Sequence, residues 1–308
     1  MPGNGKFRGI VPPMITPLTP DGGLDESAVC RVIDHMIAGG VDGVFILGTT
    51  GECASVPPRM RTRFVELAAA HIERRVPLYV GNGDNCLARS VEMAEESFRL
   101  GADAVVAHLP AYYSLTPDEI LDYFTLLADG VNGPLLLYNI PSTTHLSVPV
   151  DVVVRLSDHP RVAGFKDSEN ALDRVEALTR RLRGKEGFSL FVGATALSAR
   201  GLALGMDGIV PSSANLLPRG WHDLLAAAAG GDWQEVEKLQ VSYDRLAQIL
   251  QTGRTLGQSL AALKAAMSSF GLCGPAMLPP LRAAAPAEVD SLGRQVAEIG
   301  FEQPGRTP

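Results

Sequence analysis

Residues 78–107, LYVGNGDNCLARSVEMAEESFRLGADAVVA, contain the pattern that decides the fold. Two short apolar runs, Leu78–Val80 and Ala104–Ala107, flank a longer segment, Leu87–Leu100. Within that segment apolar residues recur at every third or fourth position, at Leu87, Val91, Ala94 and Phe98. Short apolar runs predict buried strands, and the spaced pattern predicts an amphipathic helix. The stretch therefore predicts a strand–helix–strand unit, whose two strands run parallel.

The same alternation continues on both sides of this unit. The predicted strands are Gly9–Ile15, Gly43–Leu47, Leu78–Val80, Ala104–Ala107, Leu135–Tyr138, Val162–Phe165, Leu190–Val192 and Gly208–Val210. The predicted helices between them include Leu24–Ala38, Pro58–Glu73, Leu87–Leu100, Pro117–Ala128 and Leu172–Leu182. Eight such units without a break in composition favour an α/β fold of the closed (β/α)8 type, a TIM barrel, over two domains.

The pattern after Pro218 is helical only. The predicted helices there are Trp221–Ala228, Trp233–Gln251, Leu256–Phe270 and Ala287–Ile299. The first of these completes the eighth unit. We therefore expect a catalytic barrel over residues 1–230 and a C-terminal helical extension, residues 231–308, packed on the barrel.

Composition and charge exclude several classes of partner. The 308 residues carry a formal net charge of −7, whereas nucleic acids and anionic membranes require clustered Lys and Arg. No apolar run approaches the roughly 20 residues that span a bilayer, and residues 1–9 lack the apolar core of a signal peptide. The four cysteines show no metal-ligand spacing and are expected to be reduced thiols. We expect a soluble, cytoplasmic protein.

Polar residues follow the predicted strands at the edge where a barrel holds its active site. The segment Gly48–Glu52 follows the second strand, and Tyr138 ends the fifth. Lys166 ends the sixth strand, Gly193 follows the seventh, and Ser212 follows the eighth. Hydroxyl groups, glycines and one amine at this edge predict a reaction site.

Lys166 is the residue on which the predicted chemistry depends. The chain has five lysines, and only Lys166 directly extends an apolar strand. Burial against a nonpolar wall favours the neutral amine, the nucleophile that forms a Schiff base with a carbonyl compound. The alternative is a structural lysine, either paired with Asp167 or reaching into solvent at the strand end.

Tyr138, Thr49 and Thr50 are further candidates for the same site. A phenol at the end of the neighbouring strand can transfer the protons that imine chemistry requires. The two threonines lie in a Gly-flanked turn, whose hydroxyl and N–H groups suit a carboxylate. The alternatives are a tyrosine that donates to a loop carbonyl and threonines that only stabilise a turn.

These segments together resemble the dihydrodipicolinate synthase / N-acetylneuraminate lyase superfamily of class I pyruvate-dependent aldolases. The resemblance covers about Phe7 to Pro218. It rests on four motifs in the family's order and spacing: Thr16-Pro17…Asp21-Gly22, Gly48-Thr49-Thr50-Gly51-Glu52, Tyr138-Asn139-Ile140-Pro141 and Gly164-Phe165-Lys166-Asp167.

The resemblance implies a role for each residue of the site. Lys166 would form the Schiff base with pyruvate or another 2-oxo acid, and Tyr138 would relay protons. Thr49 and Thr50 would bind the carboxylate of the 2-oxo acid. Further substrate contacts would come from Gly51, Thr143, Gly193, Val210 and Ser212, with Val210 contributing its backbone carbonyl.

The resemblance also implies an assembly, because members of the family are commonly homotetramers built from tight dimers. Thr49 would link Tyr138 to a second tyrosine that crosses from a neighbouring subunit. Tyr112 matches that tyrosine best, and Tyr113 is the adjacent alternative. No metal and no cofactor are expected, because the protonated imine itself accepts the electrons.

Two departures from the family bear on the second substrate. Thr143 stands where the synthases carry an arginine that binds the carboxylate of aspartate semialdehyde, and a hydroxyl does not replace that bidentate grip. Residues 193–196, GATA, lack the acidic side chains with which the sialic-acid lyases hold sugar hydroxyls. The sequence therefore predicts reversible cleavage of a 2-keto-3-deoxy sugar acid. Dihydrodipicolinate synthase, a dehydratase or hydratase using the same imine, and a non-enzymatic 2-oxo acid sensor are the alternatives.

Overall fold

The computed structural model describes residues 7–299, so the first six residues and the end of the predicted extension lie outside the described residues. Eight strands form one sheet: β1 (Gly9–Ile10), β2 (Val44–Ile46), β3 (Leu78–Asn82), β4 (Ala104–His108), β5 (Leu135–Asn139), β6 (Val162–Asp167), β7 (Ser189–Val192) and β8 (Gly208–Ile209). All pairs are parallel, in the order β1-β8-β7-β6-β5-β4-β3-β2. The predicted set of parallel strands is confirmed.

The segment that follows β1 contacts β2. Pro13 forms a parallel bridge with Phe45, and the Met14 N–H donates to the Phe45 carbonyl over 2.7 Å. β1 itself ends at Ile10, earlier than predicted, because Pro12 and Pro13 have no N–H to donate to a ladder. The two outer strands of the order therefore meet through this proline segment.

Twelve helices accompany the strands within residues 7–299. They are α1 (Glu26–Ala38), α2 (Pro58–Ile72), α3 (Leu87–Arg99), α4 (Pro117–Gly130), α5 (Pro141–Thr144), α6 (Val150–Leu156), α7 (Leu172–Leu182), α8 (Ser198–Leu204), α9 (Pro218–Ala229), α10 (Trp233–Gln251), α11 (Leu256–Ser269) and α12 (Pro286–Ala297). The predicted helices agree with these within about three residues. Helices α5, α6 and α8 were not predicted, because segments of four to seven residues are too short to display a 3.6-residue period.

Alternation along the strands separates two apolar layers. The inner layer consists of Val11, Phe45, Tyr79, Ala104, Val106, Leu136, Tyr138, Ile140, Phe191 and Val210. The larger layer lies between strands and helices and includes Phe165 of β6. Because successive side chains on a strand point to opposite faces, Lys166 points inward where Phe165 points outward. Lys166 is in register with Tyr138 of β5 and Phe191 of β7, both in the inner layer.

The helices after β8 contact the loops at the carboxyl ends of the strands. Lys264 of α11 forms a buried ion pair with Glu52, which follows the Thr49–Gly51 turn. The second carboxylate oxygen of Glu52 accepts from the Leu278 N–H over 2.7 Å. On α10, the Gln240 amide donates to the Thr195 carbonyl over 3.0 Å. The C-terminal helices are therefore bonded to the loops that surround the inner layer.

Two features are absent from residues 7–299. No helix in this part of the chain is both long and apolar enough to cross a membrane. No group of three or more His, Cys, Asp or Glu side chains there is arranged to hold a metal ion.

Candidate active site

Lys166 lies at the inner end of a cavity, against aromatic rings. Its side chain is inside the strands, and the residue is 5% exposed. The Nζ atom lies 3.9 Å from the centre of the Tyr138 ring and 5.0 Å from that of Phe45. Among residues 7–299, no carboxylate forms an ion pair with it. The amine is thus buried beside a phenol with no fixed counter-ion.

Asp167, the partner that a structural role for Lys166 would use, faces the other way. It forms an ion pair with Arg174 (Nε to Oδ2, 2.5 Å), and Asn139 donates to its Oδ1 over 3.2 Å. The Glu169 N–H donates to the same Oδ1 over 2.8 Å. Burial raises the pKa of Asp167, and Arg174 opposes that shift. Asp167 therefore bonds to Arg174, Asn139 and Glu169 on the opposite face of the sheet, and it does not neutralise Lys166.

Glycine at position 193 leaves the space that the lysine side chain occupies. A Cβ atom at Gly193 would lie 3.0 Å from Cε of Lys166 and 2.1 Å from Oγ of Ser168. The Ser168 hydroxyl is 3.4 Å from the Tyr138 phenol oxygen, to which it donates. The loop after β7 therefore approaches the lysine closely only because it carries no side chain at this position.

Thr49 and Thr50 lie in a 3₁₀ turn, Thr49–Gly51, immediately after β2. The turn is held from both sides: the Gly51 N–H donates to the Gly48 carbonyl over 3.0 Å, and Thr16 Oγ1 donates to the Gly51 carbonyl over 2.6 Å. Glu52 ends the turn with a left-handed φ of 56°. Both threonines are presented to the same cavity as Lys166 and Tyr138.

This first cavity has a volume of about 330 Å³, which is the size of a small-molecule site. Its lining residues are Pro13, Thr49, Thr50, Tyr138, Ile140, Lys166, Ser168, Asn170, Gly193, Ala194, Thr195, Ala196, Val210, Ser212, Ala247, Gln251 and Leu256. One amine, several hydroxyl groups and two amides converge there, with no carboxylate in the lining. The arrangement suits nucleophilic attack by the amine on an anionic carbonyl compound.

A second cavity, of about 370 Å³, continues from the first toward the C-terminal helices. The two share lining residues, namely Thr50, Thr195, Ser212, Ala247, Gln251 and Leu256. The second cavity adds Ser142, Ser213, Ser259 and Arg254 to the polar surface. The space available to a substrate therefore extends from Lys166 to the α10–α11 connection.

Comparison with known proteins identifies the family. A sequence model described as the dihydrodipicolinate synthetase family matches residues 6–299. The chain belongs to the dihydrodipicolinate synthetase family. The 4-hydroxy-tetrahydrodipicolinate synthase of Phenylobacterium zucineum (strain HLK1) is 34% identical over 267 residues, which are 87% of this chain and 88% of that protein.

Solved structures of the dihydrodipicolinate synthetase family share the fold. YagE, a prophage protein of E. coli K12 solved in complex with pyruvate, superposes with a TM-score of 0.90 at 27% identity, covering 96% of this chain and all of that one. The dihydrodipicolinate synthase of Bacteroides thetaiotaomicron also gives 0.90, at 31% identity, covering 94% and 98%. The predicted recognition of the family is confirmed.

Family membership decides between the predicted classes of function. The dihydrodipicolinate synthetase family consists of pyruvate-dependent class I aldolases and lyases, so the prediction of an enzyme is confirmed and a sensing role is disfavoured. The curated relatives are named 4-hydroxy-tetrahydrodipicolinate synthase. Their names support the predicted alternative, the synthase, better than the sugar-acid lyase that was the main prediction.

Most of the residues expected from the family resemblance meet in the first cavity. Those brought together there are Lys166, Tyr138, Thr49, Thr50, Gly193, Val210 and Ser212. Three are placed elsewhere. Tyr112 is 78% exposed outside the cavity, in edge-to-face contact with the 69% exposed Tyr113. Thr143 donates to the Ile140 carbonyl over 3.3 Å, and its neighbour Ser142 lines the second cavity instead. Gly51 stabilises the turn, because its carbonyl accepts from Thr16.

The C-terminal helices contribute lining residues that were not predicted. Ala247 and Gln251 of α10, Leu256 of α11 and Arg254 between them reach the cavities. None of them stands at the end of a strand, so their position in the sequence carries no sign of a site. Only contact between chain segments far apart in sequence brings these residues to the carboxyl ends of the strands.

Proposed function

We propose that this protein joins pyruvate, or a close 2-oxo acid, to an aldehyde through a Schiff base on Lys166. The observation that carries the proposal is the position of the Lys166 amine, buried 3.9 Å from the ring centre of Tyr138 in a cavity of about 330 Å³. Thr49 and Thr50 bind the carboxylate of the 2-oxo acid, and Tyr138 transfers protons. Val210 and Ser212 complete the wall around the imine.

The proposed sequence of steps balances without any other group. The neutral amine adds to the C2 carbonyl, and the resulting carbinolamine loses water to give the imine. The Tyr138 phenol donates its proton to the hydroxyl that leaves as water. Its phenolate then accepts a C3 proton from the protonated imine, and the electrons of that C–H bond form an enamine. The enamine attacks the aldehyde carbon, and Tyr138 returns the proton to the aldehyde oxygen. Water hydrolyses the new imine, which releases the product and restores the amine.

Two aldehyde partners have support. The names of the curated relatives favour the synthase reaction, in which the aldehyde is aspartate semialdehyde. The hydroxyl-lined cavities and the threonine at position 143 favour a polyhydroxylated aldehyde, hence the cleavage of a 2-keto-3-deoxy sugar acid. A dehydratase or hydratase would start from the same imine and differ only in the group that leaves the enamine.

Borohydride trapping tests the Schiff base directly. Reduction of the enzyme in the presence of pyruvate should add the mass of one reduced pyruvate to the peptide that contains Lys166. The buried Lys264 provides an internal control, because its amine is held by Glu52 and should stay unmodified. Absence of an adduct, or an equal adduct in Lys166→Met, would refute the mechanism.

A substrate panel then separates the candidate reactions. Pyruvate release is measured with 2-keto-3-deoxy sugar acids, and pyruvate consumption is measured with aspartate semialdehyde. Turnover of the semialdehyde alone assigns the synthase, and turnover of the sugar acids alone assigns the lyase. Formation of a 2-oxo acid from a sugar acid without pyruvate release assigns the dehydratase.

We propose in addition that the protein assembles as a homotetramer of two tight dimers. Tyr112 and Tyr113 support this, because two adjacent exposed tyrosines form the kind of apolar, hydrogen-bonding surface found at interfaces. Light scattering after size exclusion gives the state, and Tyr112→Ala should shift it toward smaller species. If the wild-type protein and Tyr112→Ala are both monomeric, the proposed assembly is wrong.

We further propose that residues 1–230 form a closed (β/α)8 barrel that folds as one catalytic unit with the helices from 231 onward. The Pro13–Phe45 bridge and the Glu52–Lys264 ion pair support this organisation. The cytoplasm is the proposed compartment. The four cysteines, all unpaired, are consistent with a reducing environment.

A further inference from the structure

The charges around the two connected cavities are few and unevenly placed. Lys166 is the single charged residue in the lining of the first cavity, and Arg254 is the single charged residue in that of the second, as far as the described residues go. Hydroxyl groups and the Gln251 amide lie between them. A substrate spanning both cavities meets a cation at each end and no carboxylate along the way.

Arg254 is held in place before any substrate arrives. It lies between α10 and α11, where Gly253 takes a φ of +72° and Thr255 caps α11. The guanidinium donates through Nη1 to the Ile249 carbonyl over 2.8 Å and through Nη2 to Glu288 over 3.0 Å. Its side chain is 24% exposed. A fixed guanidinium of this kind loses little conformational freedom when it binds an anion.

Glu288 does not remove this binding capacity. A guanidinium has five N–H donors, and the two contacts use only part of them. Glu288 is 41% exposed and does not line either cavity, so its charge is partly screened by solvent. Arg254 therefore lines the second cavity with N–H donors beyond those that contact Ile249 and Glu288.

We propose that Arg254 binds an anionic group at the distal end of the aldehyde substrate, an inference that rests on the Schiff-base function proposed above. Arg254 would supply, from the C-terminal helices, the positive charge that position 143 lacks. The same guanidinium chemistry accepts a carboxylate or a phosphate. A carboxylate fits better, because one guanidinium already shared with Glu288 offers a single positive charge. The aldehyde partner is then an aldehyde acid rather than a neutral sugar aldehyde.

The test compares three aldehydes in the pyruvate-consuming reaction: 4-oxobutanoate, glyceraldehyde 3-phosphate and glyceraldehyde. Wild-type enzyme should prefer 4-oxobutanoate, and Arg254→Gln should lower kcat/KM for it by about 30-fold, mainly through KM, because a hydrogen bond to a charged group is lost. The value for neutral glyceraldehyde should change by less than about threefold. Preference for the phosphate with the same dependence on Arg254 would assign phosphate as the anion.

Glu288→Gln is the matched control, since it breaks the same ion pair and keeps the guanidinium. A purely structural role predicts equal effects of Arg254→Gln and Glu288→Gln on all three aldehydes, and that outcome would overturn the proposal. If turnover is too slow to measure, calorimetric titration of 4-oxobutanoate into borohydride-reduced, pyruvate-labelled enzyme replaces it. Equal affinity in wild type and Arg254→Gln would likewise overturn the proposal.

The two proposals fail in distinguishable ways. Exchange of the pyruvate methyl protons with D₂O reports enamine formation without any aldehyde, so it tests the Schiff base independently of the aldehyde site. Loss of borohydride labelling in wild type refutes the Schiff base. Intact labelling with no discrimination between anionic and neutral aldehydes refutes only the role of Arg254.

Discussion

Lys166 and Lys264 are both buried lysines, at 5% and 1% exposure, yet their surroundings differ in every other respect. Lys264 pairs with the carboxylate of Glu52 and donates to the Ala276 carbonyl over 2.8 Å. Burial lowers the pKa of Lys264, while the Glu52 carboxylate opposes the shift. Lys166 has two aromatic rings beside it and no carboxylate partner among residues 7–299.

The comparison distinguishes a buried lysine that has a structural role from one that can react. If Lys264 lost its proton, the buried carboxylate of Glu52 would have no counter-ion. The ion pair therefore favours the charged form of Lys264. Lys166 has no counter-ion among residues 7–299, so no ion pair is broken when its nitrogen bonds to a carbonyl carbon. Burial alone therefore does not mark a catalytic lysine; the missing partner does.

The largest expected effect is on catalysis at Lys166. Lys166→Met removes the nucleophile, so the exchange of pyruvate methyl protons with D₂O should fall by about 10⁴-fold or more. Lys264→Met, assayed per folded molecule, should keep exchange within about tenfold of wild type. Proton NMR in D₂O measures both. Comparable losses in the two variants would remove the distinction between the lysines.

The next effect concerns stability, where the substitution of Lys264 should have the larger effect and that of Lys166 the smaller. Lys264→Met leaves the Glu52 carboxylate buried and unpaired and should lower the free energy of unfolding by about 3–5 kcal/mol. Lys166→Met should change it by less than about 1 kcal/mol, since no ion pair is broken. Urea denaturation gives both values. The double variant Glu52→Gln/Lys264→Met should recover most of the loss; failure to recover it would mean that the loss comes from packing.

A smaller effect tests the phenol beside Lys166. Tyr138→Phe keeps the ring that contacts the amine and removes the hydroxyl that transfers protons. Exchange of pyruvate protons should fall by about 10²-fold, while borohydride still labels Lys166. Unchanged exchange would assign proton transfer to another group, such as the Ser168 hydroxyl, which lies 3.4 Å from the phenol oxygen.

The smallest effect tests the space around the lysine. Gly193→Ala places a methyl group 3.0 Å from Lys166 Cε and 2.1 Å from Ser168 Oγ, so exchange should fall by about tenfold, with a stability loss of about 1 kcal/mol. Gly230→Ala is the control, because its added Cβ would meet nothing closer than 3.4 Å. Equal exchange rates in both variants would show that the lysine adjusts freely.

The fold was predictable because its signals are local. The runs around Leu135 and Val162 and the helical spacing from Leu87 lie within single elements, so neighbouring residues suffice to recognise them. Only the first strand was misjudged by more than two residues at an end, because Pro12 and Pro13 continue its apolar run but cannot continue its ladder. In this chain the apolar pattern locates the elements, and hydrogen-bond donors determine where they end.

The candidate site was predictable only in part. Lys166, Tyr138 and Thr49 stand at strand ends, and the barrel geometry converts that position into proximity. Gln251 and Arg254 reach the cavities because α10 and α11 fold back over the carboxyl ends of the strands, which no pattern within those helices indicates. The exposed position of Tyr112 likewise depends on the path of a loop rather than on its composition.

The Glu52–Lys264 contact joins residues 212 positions apart in the chain. A ribosome synthesises the turn that carries Thr49 and Thr50 early, but the lysine that neutralises its neighbour Glu52 emerges only after most of the protein has been made. Contacts this distant in sequence form late and slowly. The turn that carries Thr49 and Thr50 therefore reaches its final geometry only when translation has passed α11.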